Sequence, residues 1–269
     1  MAKIQVNDCR LVYESAGSGP HVTLLHTVGL STREGWRRQI GFLSRRYTVL
    51  TYDIRGLGES ERGTEPLSAK TFKKDLLALL DALEIRRTAL IGASLGGTIA
   101  QAFAIEYPER VRGLVLVSTT CKFTPEGAAR LRARNQRILE SGMQVAVDGQ
   151  IETQFSAAFI HSHPDVISWY RTHYLANQPQ HYAEIMEDQA RLDLCAGLRT
   201  LRCPTLIVAG AEDLSPVRGR EPLESAEELR KLIPGARLSV VPESRHYPHI
   251  DHPDLFNETV LLFLEDLQA

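Results

Sequence analysis

The segment at residues 88–107 places a serine where a nucleophile would be exposed. Ser94 is the central residue of Gly-Ala-Ser-Leu-Gly, residues 92–96. Apolar residues 88–91 predict a buried strand before it, and the periodicity of residues 98–107 predicts a helix after it. A serine on so sharp a strand-to-helix turn exposes its hydroxyl, and the flanking glycines let neighbouring backbone pass close by. The alternative is a Gly/Ser-rich turn without a catalytic role. The pattern G-x-G-x-x-G does not fit these residues, which argues against a dinucleotide-binding turn.

The acid that such a nucleophile requires is predicted at Asp213. A serine hydroxyl is a poor nucleophile unless a base takes its proton, and the base needs an orienting acid. Asp213 follows the predicted strand 204–208 and is favoured over Glu212 by its spacing from Gly210. The segment after the predicted strand 111–117 offers hydroxyls but no carboxylate, which removes the main competing location.

Three histidines compete for the role of base after the last predicted strand, residues 237–241. His246 comes first in this loop, whereas His249 and His252 lie at or near the start of the predicted final helix, 253–267. We predict that His246 is the base and keep the other two as alternatives. The remaining histidines are expected to be solvated or to line a pocket, and no pair of them predicts a metal site.

The elements that carry these residues alternate along most of the chain. Two-sided apolar strands separated by helices predict an α/β fold with a mostly parallel, doubly wound sheet. From about residue 121 to residue 202 the strand pattern stops and helical patterns follow. We therefore predict a core formed by residues 1–120 and 203–269, with a helical cap, residues 121–202, inserted into it. Helices in the cap are predicted from Thr124 onward and over residues 143–159, 165–175 and 180–194.

Composition argues against several other classes of protein. A chain of 269 residues with 43% hydrophobic and 24% charged residues suits one large α/β domain with an insertion. The formal net charge of -2 gives no reason to expect nucleic acid or an anionic membrane as a partner. No apolar run approaches the ~20 residues of a membrane span, and the N-terminus lacks the apolar core of a signal peptide, so a cytoplasmic location is expected. Four cysteines without metal-ligand or redox spacing are expected to be free thiols: Cys9, Cys121, Cys195 and Cys203.

These motifs resemble those of the α/β-hydrolase superfamily over nearly the full chain, and most of all those of the 3-oxoadipate enol-lactonase group. The resemblance implies an α/β-hydrolase fold and the chain order serine, aspartate, histidine. It also implies that the Val28 amide joins the Leu95 amide, at the helix N-terminus, in stabilising an oxyanion. The segments that carry it are residues 27–31 followed by Trp36, residues 52–56, residues 92–97 and residues 209–213.

Two departures qualify the resemblance. Residues 214–222 form a loop longer than is usual in the group, and Gln154 stands where the group is expected to have a tryptophan. Both lie where substrate is selected. Arg55 could bind a substrate anion, but we expect it to brace its own loop by planar, bidentate pairing.

The sequence therefore predicts a cofactor-free, metal-free serine hydrolase that acts on a small ester or lactone, with neither nucleic acid nor a membrane as a partner; it leaves the oligomeric state open. The resemblance implies a substrate like 3-oxoadipate enol-lactone. A general carboxylesterase is one alternative, and a C–C bond hydrolase is another, although the Gly-rich oxyanion loop typical of that group is missing. Other proteins with this fold retain the same three residues, among them lyases, cofactor-independent oxygenases and slowly reacting small-molecule receptors. The fold alone therefore does not decide the function.

The cap is predicted to enclose a pocket too small for long-chain lipids and to exclude bulk water from it. Large apolar side chains of the cap are predicted to line this pocket, with simple core packing as the alternative: Phe155, Phe159, Trp169, Tyr170 and Met186. If the substrate carries the carboxylate that the resemblance implies, a cationic partner is needed. Five arginines of the cap are candidates, for which a solvated helix face is the alternative: Arg130, Arg132, Arg134, Arg137 and Arg171.

Overall fold

The computed structural model describes residues 1–30, 33–214, 221 and 223–268. The described residues form an eight-stranded sheet with the strand order β1-β2-β4-β3-β5-β6-β7-β8. Strand β2 pairs antiparallel with β1 and with β4, and the remaining neighbours pair parallel. The strands are β1 (Ala2–Val6), β2 (Cys9–Ala16), β3 (His21–Leu25), β4 (Thr48–Tyr52), β5 (Thr88–Ala93), β6 (Val111–Val117), β7 (Thr205–Gly210) and β8 (Arg237–Val241).

Helices cover both faces of this sheet. Along β5, Leu90 packs into one apolar cluster, whereas Ala89 and Ile91 pack into a second, because successive side chains of a strand point to opposite faces. The predicted α/β-hydrolase fold with a mostly parallel, doubly wound sheet is confirmed. The helices are α1 (Arg37–Leu43), α2 (Ala69–Ala82), α3 (Leu95–Glu106), α4 (Pro125–Ser141), α5 (Gln144–Gln154), α6 (Ala157–Ser162), α7 (Pro164–Leu175), α8 (Pro179–Arg191), α9 (Cys195–Leu198), α10 (Glu224–Leu232), α11 (Pro248–Asp251) and α12 (Pro253–Asp266).

The helix predicted over residues 143–159 is broken in the structure. Phe155 is extended, with φ of -124° and ψ of 146°. Ser156 then caps α6 by accepting a hydrogen bond from the Phe159 amide at 3.2 Å. A serine that bonds the local backbone favours a new helix start over continuation. The break leaves the carbonyl oxygen of Gln154 available to accept a hydrogen bond from the His246 amide, at 3.0 Å.

The cap segment leaves and rejoins the sheet at a neck that the sequence did not indicate. Lys122 and Asp193 form an isolated antiparallel bridge, and the Leu194 amide donates to the Cys121 carbonyl at 3.0 Å. Helices α4 to α9 lie between β6 and β7, within the segment predicted to be helical. None of the described helices is both long enough and apolar enough to span a membrane. Most of the loop at residues 214–222 lies outside the described residues.

The expectation of four free thiols is wrong for two of them. Cys121 and Cys195 form a disulfide with their Cα atoms 5.2 Å apart, whereas Cys9 and Cys203 are free. The bonded pair is 74 residues apart in sequence, so local spacing could not reveal it; the neck brings the two residues together. Disulfides persist mainly in oxidising compartments, so this bond gives no support to a cytoplasmic location. That location stays a prediction.

Reducing the Cys121–Cys195 bond is expected to lower the melting temperature by roughly 5–15 °C. A cross-link over a long loop contributes about 2–4 kcal/mol, and 1 kcal/mol corresponds to roughly 2–4 °C in a chain of this size. Thermal unfolding followed by circular dichroism, with and without dithiothreitol, measures the shift. Cys121→Ser should reproduce it, while Cys203→Ser should keep the sensitivity to reductant. Four titratable thiols in denatured, unreduced protein would contradict the bond.

Candidate active site

Ser94 lies where β5 ends and α3 begins, in a backbone conformation that few side chains adopt. Its φ of 51° and ψ of -110° lie outside the regions favoured by L-residues. Its amide donates to the Val117 carbonyl at 3.0 Å, and its carbonyl accepts from the Thr119 hydroxyl at 2.9 Å. These bonds hold both neighbouring peptide groups. Such strain persists only where the surrounding structure enforces it, and it is typical of functional sites.

The tightness of this turn depends on Gly96. A Cβ atom at this position would overlap the backbone of Leu25 at the end of β3. The missing side chain therefore lets α3 start directly beside β3. As a result, Leu95 becomes the first residue of α3 next to the loop that follows β3, and the Val28 side of that loop reaches the same cavity as Ser94.

The structure brings His246 and Asp213 together, as the predicted roles require. His246 Nδ1 lies 3.0 Å from Asp213 Oδ2 and 3.2 Å from Oδ1. Both residues are buried, with 5% and 8% of their surface exposed, so the pair is shielded from competing water. Asp213 follows β7 and His246 follows β8, and these strands are neighbours in the sheet. Contact of the carboxylate with Nδ1 leaves Nε2 as the nitrogen that can exchange a proton with a nucleophile.

The alternative histidine, His249, lies in a different environment. It is 2% exposed and stacks on Trp36 with ring centroids 4.3 Å apart. Burial, more than the neighbouring His246, lowers the pKa of His249 to about 3, so its imidazole is neutral at physiological pH. It does not line the cavity that contains Ser94. His252 precedes the first turn of α12. Both positions suit packing better than proton transfer.

Asp251, the carboxylate nearest in sequence to these histidines, is engaged elsewhere. It accepts a hydrogen bond from the Ser244 hydroxyl at 2.8 Å. Burial is the main cause that raises the pKa of Asp251 to about 6. The Asp251 carboxylate is thus committed to Ser244, whereas Asp213 contacts His246 Nδ1. This geometry favours Asp213 as the acid that orients His246.

Ser94 and His246 line one cavity. The described residues that complete it come from the core and from the cap: Thr27, Val28, Gly29, Thr98, Thr119, Thr120 and Tyr247, then Phe123, Arg134, Gln150, Gln154, Tyr182, Met186 and Gln189.

The structure places one of the five predicted pocket side chains, Met186, in this cavity. Phe155 and Tyr170 are fully buried and meet edge to face at 5.2 Å. Phe159 and Trp169 line a separate cleft. Direct substrate contact by these four is therefore not supported, because helical spacing does not separate core side chains from pocket side chains.

The sequence did not predict that the cavity has a largely polar lining. Glutamine and tyrosine side chains form much of its cap side, and nothing in their spacing marks them. Two positions had a usable signal: Gln154 departs from the group that the chain resembles, and Tyr247 follows His246 directly. A cavity with this lining can hold a polar substrate as well as exclude water.

Arg134 is the cap arginine that the structure places in the cavity. Three of the others are engaged at the surface: Arg132 with Glu187 at 3.0 Å, Arg171 with Asp148 at 2.6 Å, and Arg137 with the Val145 carbonyl at 3.2 Å. Arg130 does not line the cavity.

Arg134 brings unpaired hydrogen-bond donors to the cavity. Its Nε and Nη2 atoms are buried and have no hydrogen-bond partner within the described part of the chain. Its guanidinium carbon lies 5.6 Å from the centre of the Tyr182 ring. The amide nitrogen of Gln189, another cavity residue, is also buried without a hydrogen-bond partner among the described residues. Buried donors are nearly always satisfied, so these donors of Arg134 and Gln189 are suited to an anionic ligand.

Arg55 braces its loop, and the predicted structural role is confirmed. Its guanidinium donates to both carboxylate oxygens of Asp75, at 2.6 and 2.8 Å. A second carboxylate, that of Asp8, lies 2.6 Å from Nη2. The hydrogen bond to Asp75 is the largest of the interactions that raise the pKa of Arg55. A guanidinium occupied in this way has no capacity left for substrate.

One group of three potential metal ligands occurs among the described residues, outside the cavity. Cys121, Cys195 and Glu228 have their ligand atoms within 4.8 Å of one another. Metal binding by cysteine needs a thiolate, and both sulfurs are committed to the disulfide. The group therefore offers one carboxylate, which is too little for a specific metal site.

The fold agrees with what comparison with known proteins shows. The family described as alpha/beta hydrolase fold matches residues 20–253, and the chain belongs to this family. It is 28% identical to 3-oxoadipate enol-lactonase 2 of Acinetobacter baylyi, over 96% of this chain and 94% of that protein. It is also 28% identical to a putative carbamate hydrolase RutD of a Caulobacter species, over 94% of this chain and 95% of that protein.

Two solved structures extend the similarity. An esterase from Thermogutta terrifontis, with malate bound, has a TM-score of 0.91 at 26% identity, with both chains covered completely. The enol-lactonase of Burkholderia xenovorans has a TM-score of 0.88 at 27% identity, covering 98% of this chain and 100% of that chain. These similarities confirm the predicted resemblance to the enol-lactonase group and the prediction that the chain is a hydrolase.

Proposed function

We propose that the protein hydrolyses small carboxylic esters or lactones through an acyl-enzyme formed on Ser94. The observation that carries the proposal is that Ser94, on its strained turn, shares one cavity with a histidine paired to a buried carboxylate. Similarity to an enol-lactonase and to an esterase supports the same chemistry. The arrangement requires neither a cofactor nor a metal to act on a carbonyl.

In the first half of the reaction, Ser94 Oγ attacks the carbonyl carbon while His246 Nε2 takes the hydroxyl proton. Asp213 holds the imidazole by its other nitrogen and stabilises the imidazolium that forms. The carbonyl oxygen becomes an oxyanion facing the amides of Val28 and Leu95. When the tetrahedral intermediate collapses, the C–O bond of the leaving group breaks and His246 returns the proton to that oxygen.

In the second half, water hydrolyses the acyl-enzyme by the same route. His246 takes a proton from water, the hydroxide adds to the acyl carbon, and Ser94 leaves with its proton restored. The product is a carboxylic acid. For an ester the alcohol has already departed, whereas for a lactone the hydroxyl stays on the same molecule. The cap side of the cavity limits the access of water to the substrate carbonyl before the acyl-enzyme forms.

The buried donors of the cavity favour a substrate that carries a carboxylate. A guanidinium binds a carboxylate by charge-assisted, bidentate hydrogen bonds, and Arg134 presents two buried donors that lack hydrogen-bond partners among the described residues. Substrate would satisfy them. Malate, which is bound in the related esterase, is a small dicarboxylate, so that protein binds an anion of the class proposed here. We therefore extend the proposal to small esters and lactones with a second, free carboxylate.

Arg134→Leu is expected to lower kcat/KM for monomethyl succinate by roughly 10- to 100-fold. Loss of a hydrogen bond to a charged group costs about 1.5–3 kcal/mol, and each 1.4 kcal/mol is about tenfold. For dimethyl succinate, which has no carboxylate, the change should stay below about threefold. Hydrolysis of the two esters by each variant, measured by acid release, gives the comparison.

Arg132→Leu is the matched control. It removes the same charge from the same helix, two residues away, but its guanidinium pairs with Glu187 at the surface. Both esters should be hydrolysed at nearly the wild-type rate. Equal loss on both esters in Arg134→Leu, or wild-type preference for the neutral ester, would leave a general carboxylesterase as the better description. A wider panel of esters, lactones and a carbamate tests the reaction class itself.

A further inference from the structure

The hydroxyl groups of two buried tyrosines converge on the loop that carries Val28. A Cβ atom built on Gly29 would lie 2.9 Å from Tyr247 Oη and 3.3 Å from Tyr170 Oη. Tyr247 follows His246 along the chain, whereas Tyr170 belongs to the cap helix α7. The two tyrosines are 1% and 0% exposed, so bulk water does not compete for their hydrogen bonds.

These hydroxyls belong to one polar network. Tyr170 donates to the side-chain oxygen of Gln154 at 2.8 Å, and the Tyr247 hydroxyl converges with that of Tyr170 on Gly29 and lines the Ser94 cavity together with Thr27. Gln154 also accepts a hydrogen bond from the His246 amide through its backbone carbonyl, at 3.0 Å. The network thus joins the cap helices α5 and α7 to His246 and to the loop that carries Val28.

The tyrosines stay neutral hydrogen-bonding groups over the working pH range. Burial is the largest cause that raises the pKa of both Tyr170 and Tyr247 well above the ordinary tyrosine value. Neutral hydroxyls add no charge that would repel an oxyanion. They can therefore hold the loop in place without opposing the charge that develops during the reaction.

The loop at residues 27–29 needs such support because it lies beyond the end of β3. Within it, the Thr27 hydroxyl accepts from the Leu30 amide at 3.0 Å, which is a short local turn. Tyr247 lines the same cavity wall as Thr27 and places its hydroxyl beside Gly29, on the other side of Val28. The orientation of the Val28 peptide is set by its two neighbours, so groups that hold both of them determine where its amide points.

We propose that Tyr170 and Tyr247 are positioning residues that orient the Val28 amide toward the oxyanion, so that the cap helps to complete the oxyanion hole. The inference rests on the proposed function, because it needs a reaction with an oxyanion. It assigns the cap a part in the chemical step as well as in enclosing substrate. It also explains Gly29, since any side chain there would displace both hydroxyls.

Tyr247→Phe and Tyr170→Phe test the inference by removing one oxygen each from rings that stay packed. On an uncharged ester, each is expected to lower kcat by roughly 5- to 50-fold with KM within about twofold, because misorienting one oxyanion donor costs less than the 10²- to 10³-fold loss on its removal. The inhibition constant of an alkyl trifluoromethyl ketone, whose serine adduct carries an oxyanion, should rise by about the same factor as kcat/KM falls.

Tyr174→Phe is the matched control. Its ring also approaches Gly29, with Cδ2 at 3.8 Å from a Cβ atom built there, but its hydroxyl has no hydrogen-bond partner within the described ranges that satisfies ordinary geometry. Both kcat and the inhibition constant should remain within about twofold of wild type. A role of the tyrosines in stability alone would instead lower the melting temperature without this selective loss.

Wild-type kcat in both phenylalanine variants, or a rise in KM without a change in inhibitor binding, would overturn the inference. If Tyr247→Phe does not fold by circular dichroism, Tyr170→Phe in the cap decides alone. Failure of the proposed function would look different, because the wild-type protein itself would then turn over no ester or lactone and would not bind the ketone covalently.

Discussion

Ser94→Ala is expected to lower kcat by roughly three orders of magnitude or more on any ester that the wild-type protein hydrolyses. Removal of Oγ eliminates the atom that forms the acyl-enzyme, while the cavity, His246 and the oxyanion-stabilising amides remain. Steady-state kinetics on p-nitrophenyl acetate measures the loss. The hydroxyl is not used as a cap by α3, so the variant should keep its fold and its melting temperature within a few degrees.

Two controls make this result specific to the nucleophile. Ser162→Ala changes an exposed serine of the cap and should leave kcat unchanged. A fluorophosphonate probe should label wild-type protein at Ser94, with peptide mass spectrometry locating the adduct, and should not label Ser94→Ala. More than a tenth of wild-type activity in Ser94→Ala would remove Ser94 from the mechanism.

His246→Gln is expected to lower kcat by a comparable factor, on the order of 10³ or more, because the three residues act as a unit in the proposed mechanism. Glutamine is close in size and keeps hydrogen-bonding groups, but it cannot shuttle a proton between serine, leaving group and water. Asp213 would then face a neutral amide and lose its function in catalysis. Single-turnover measurements with p-nitrophenyl acetate would show that acylation itself is slowed.

His249→Gln is the comparison that tests the choice of histidine. Because His249 is buried against Trp36, this variant is expected to lose about 1–3 kcal/mol of stability, as is usual for a disturbed buried group. Its kcat, measured well below the melting temperature, should stay within about tenfold of wild type. If His249→Gln proves the more damaging to kcat and His246→Gln the milder, the base has been assigned to the wrong residue.

Local sterics explain why the Ser94 turn and the strands could be predicted without coordinates. The glycines of residues 92–96 and the apolar run before them are adjacent in sequence, so their backbone preferences act on one turn and one strand. The separation of Asp213 and His246 into loops after successive strands is likewise a consequence of chain order in a parallel sheet. The sequence thereby determined the fold and the identity of the three candidate catalytic residues.

Tertiary structure decided which side chains of the cap line the cavity that contains Ser94 and His246. Arg132 and Arg134 are two positions apart on one helix, yet one pairs with Glu187 at the surface and the other lines the cavity. The orientation of α4 relative to the sheet sets this difference, and that orientation depends on packing between segments far apart in sequence.

The same physical reason accounts for the disulfide and for the tyrosine network. Cys121 and Cys195 meet because the cap returns to the point where it left the sheet, 74 residues later. Tyr170, on the cap helix α7, places its hydroxyl beside Gly29. Backbone preference acts between neighbours in sequence, so it determined the elements and the reactive groups. The contacts that select a substrate join distant segments, and only the packed chain could decide them.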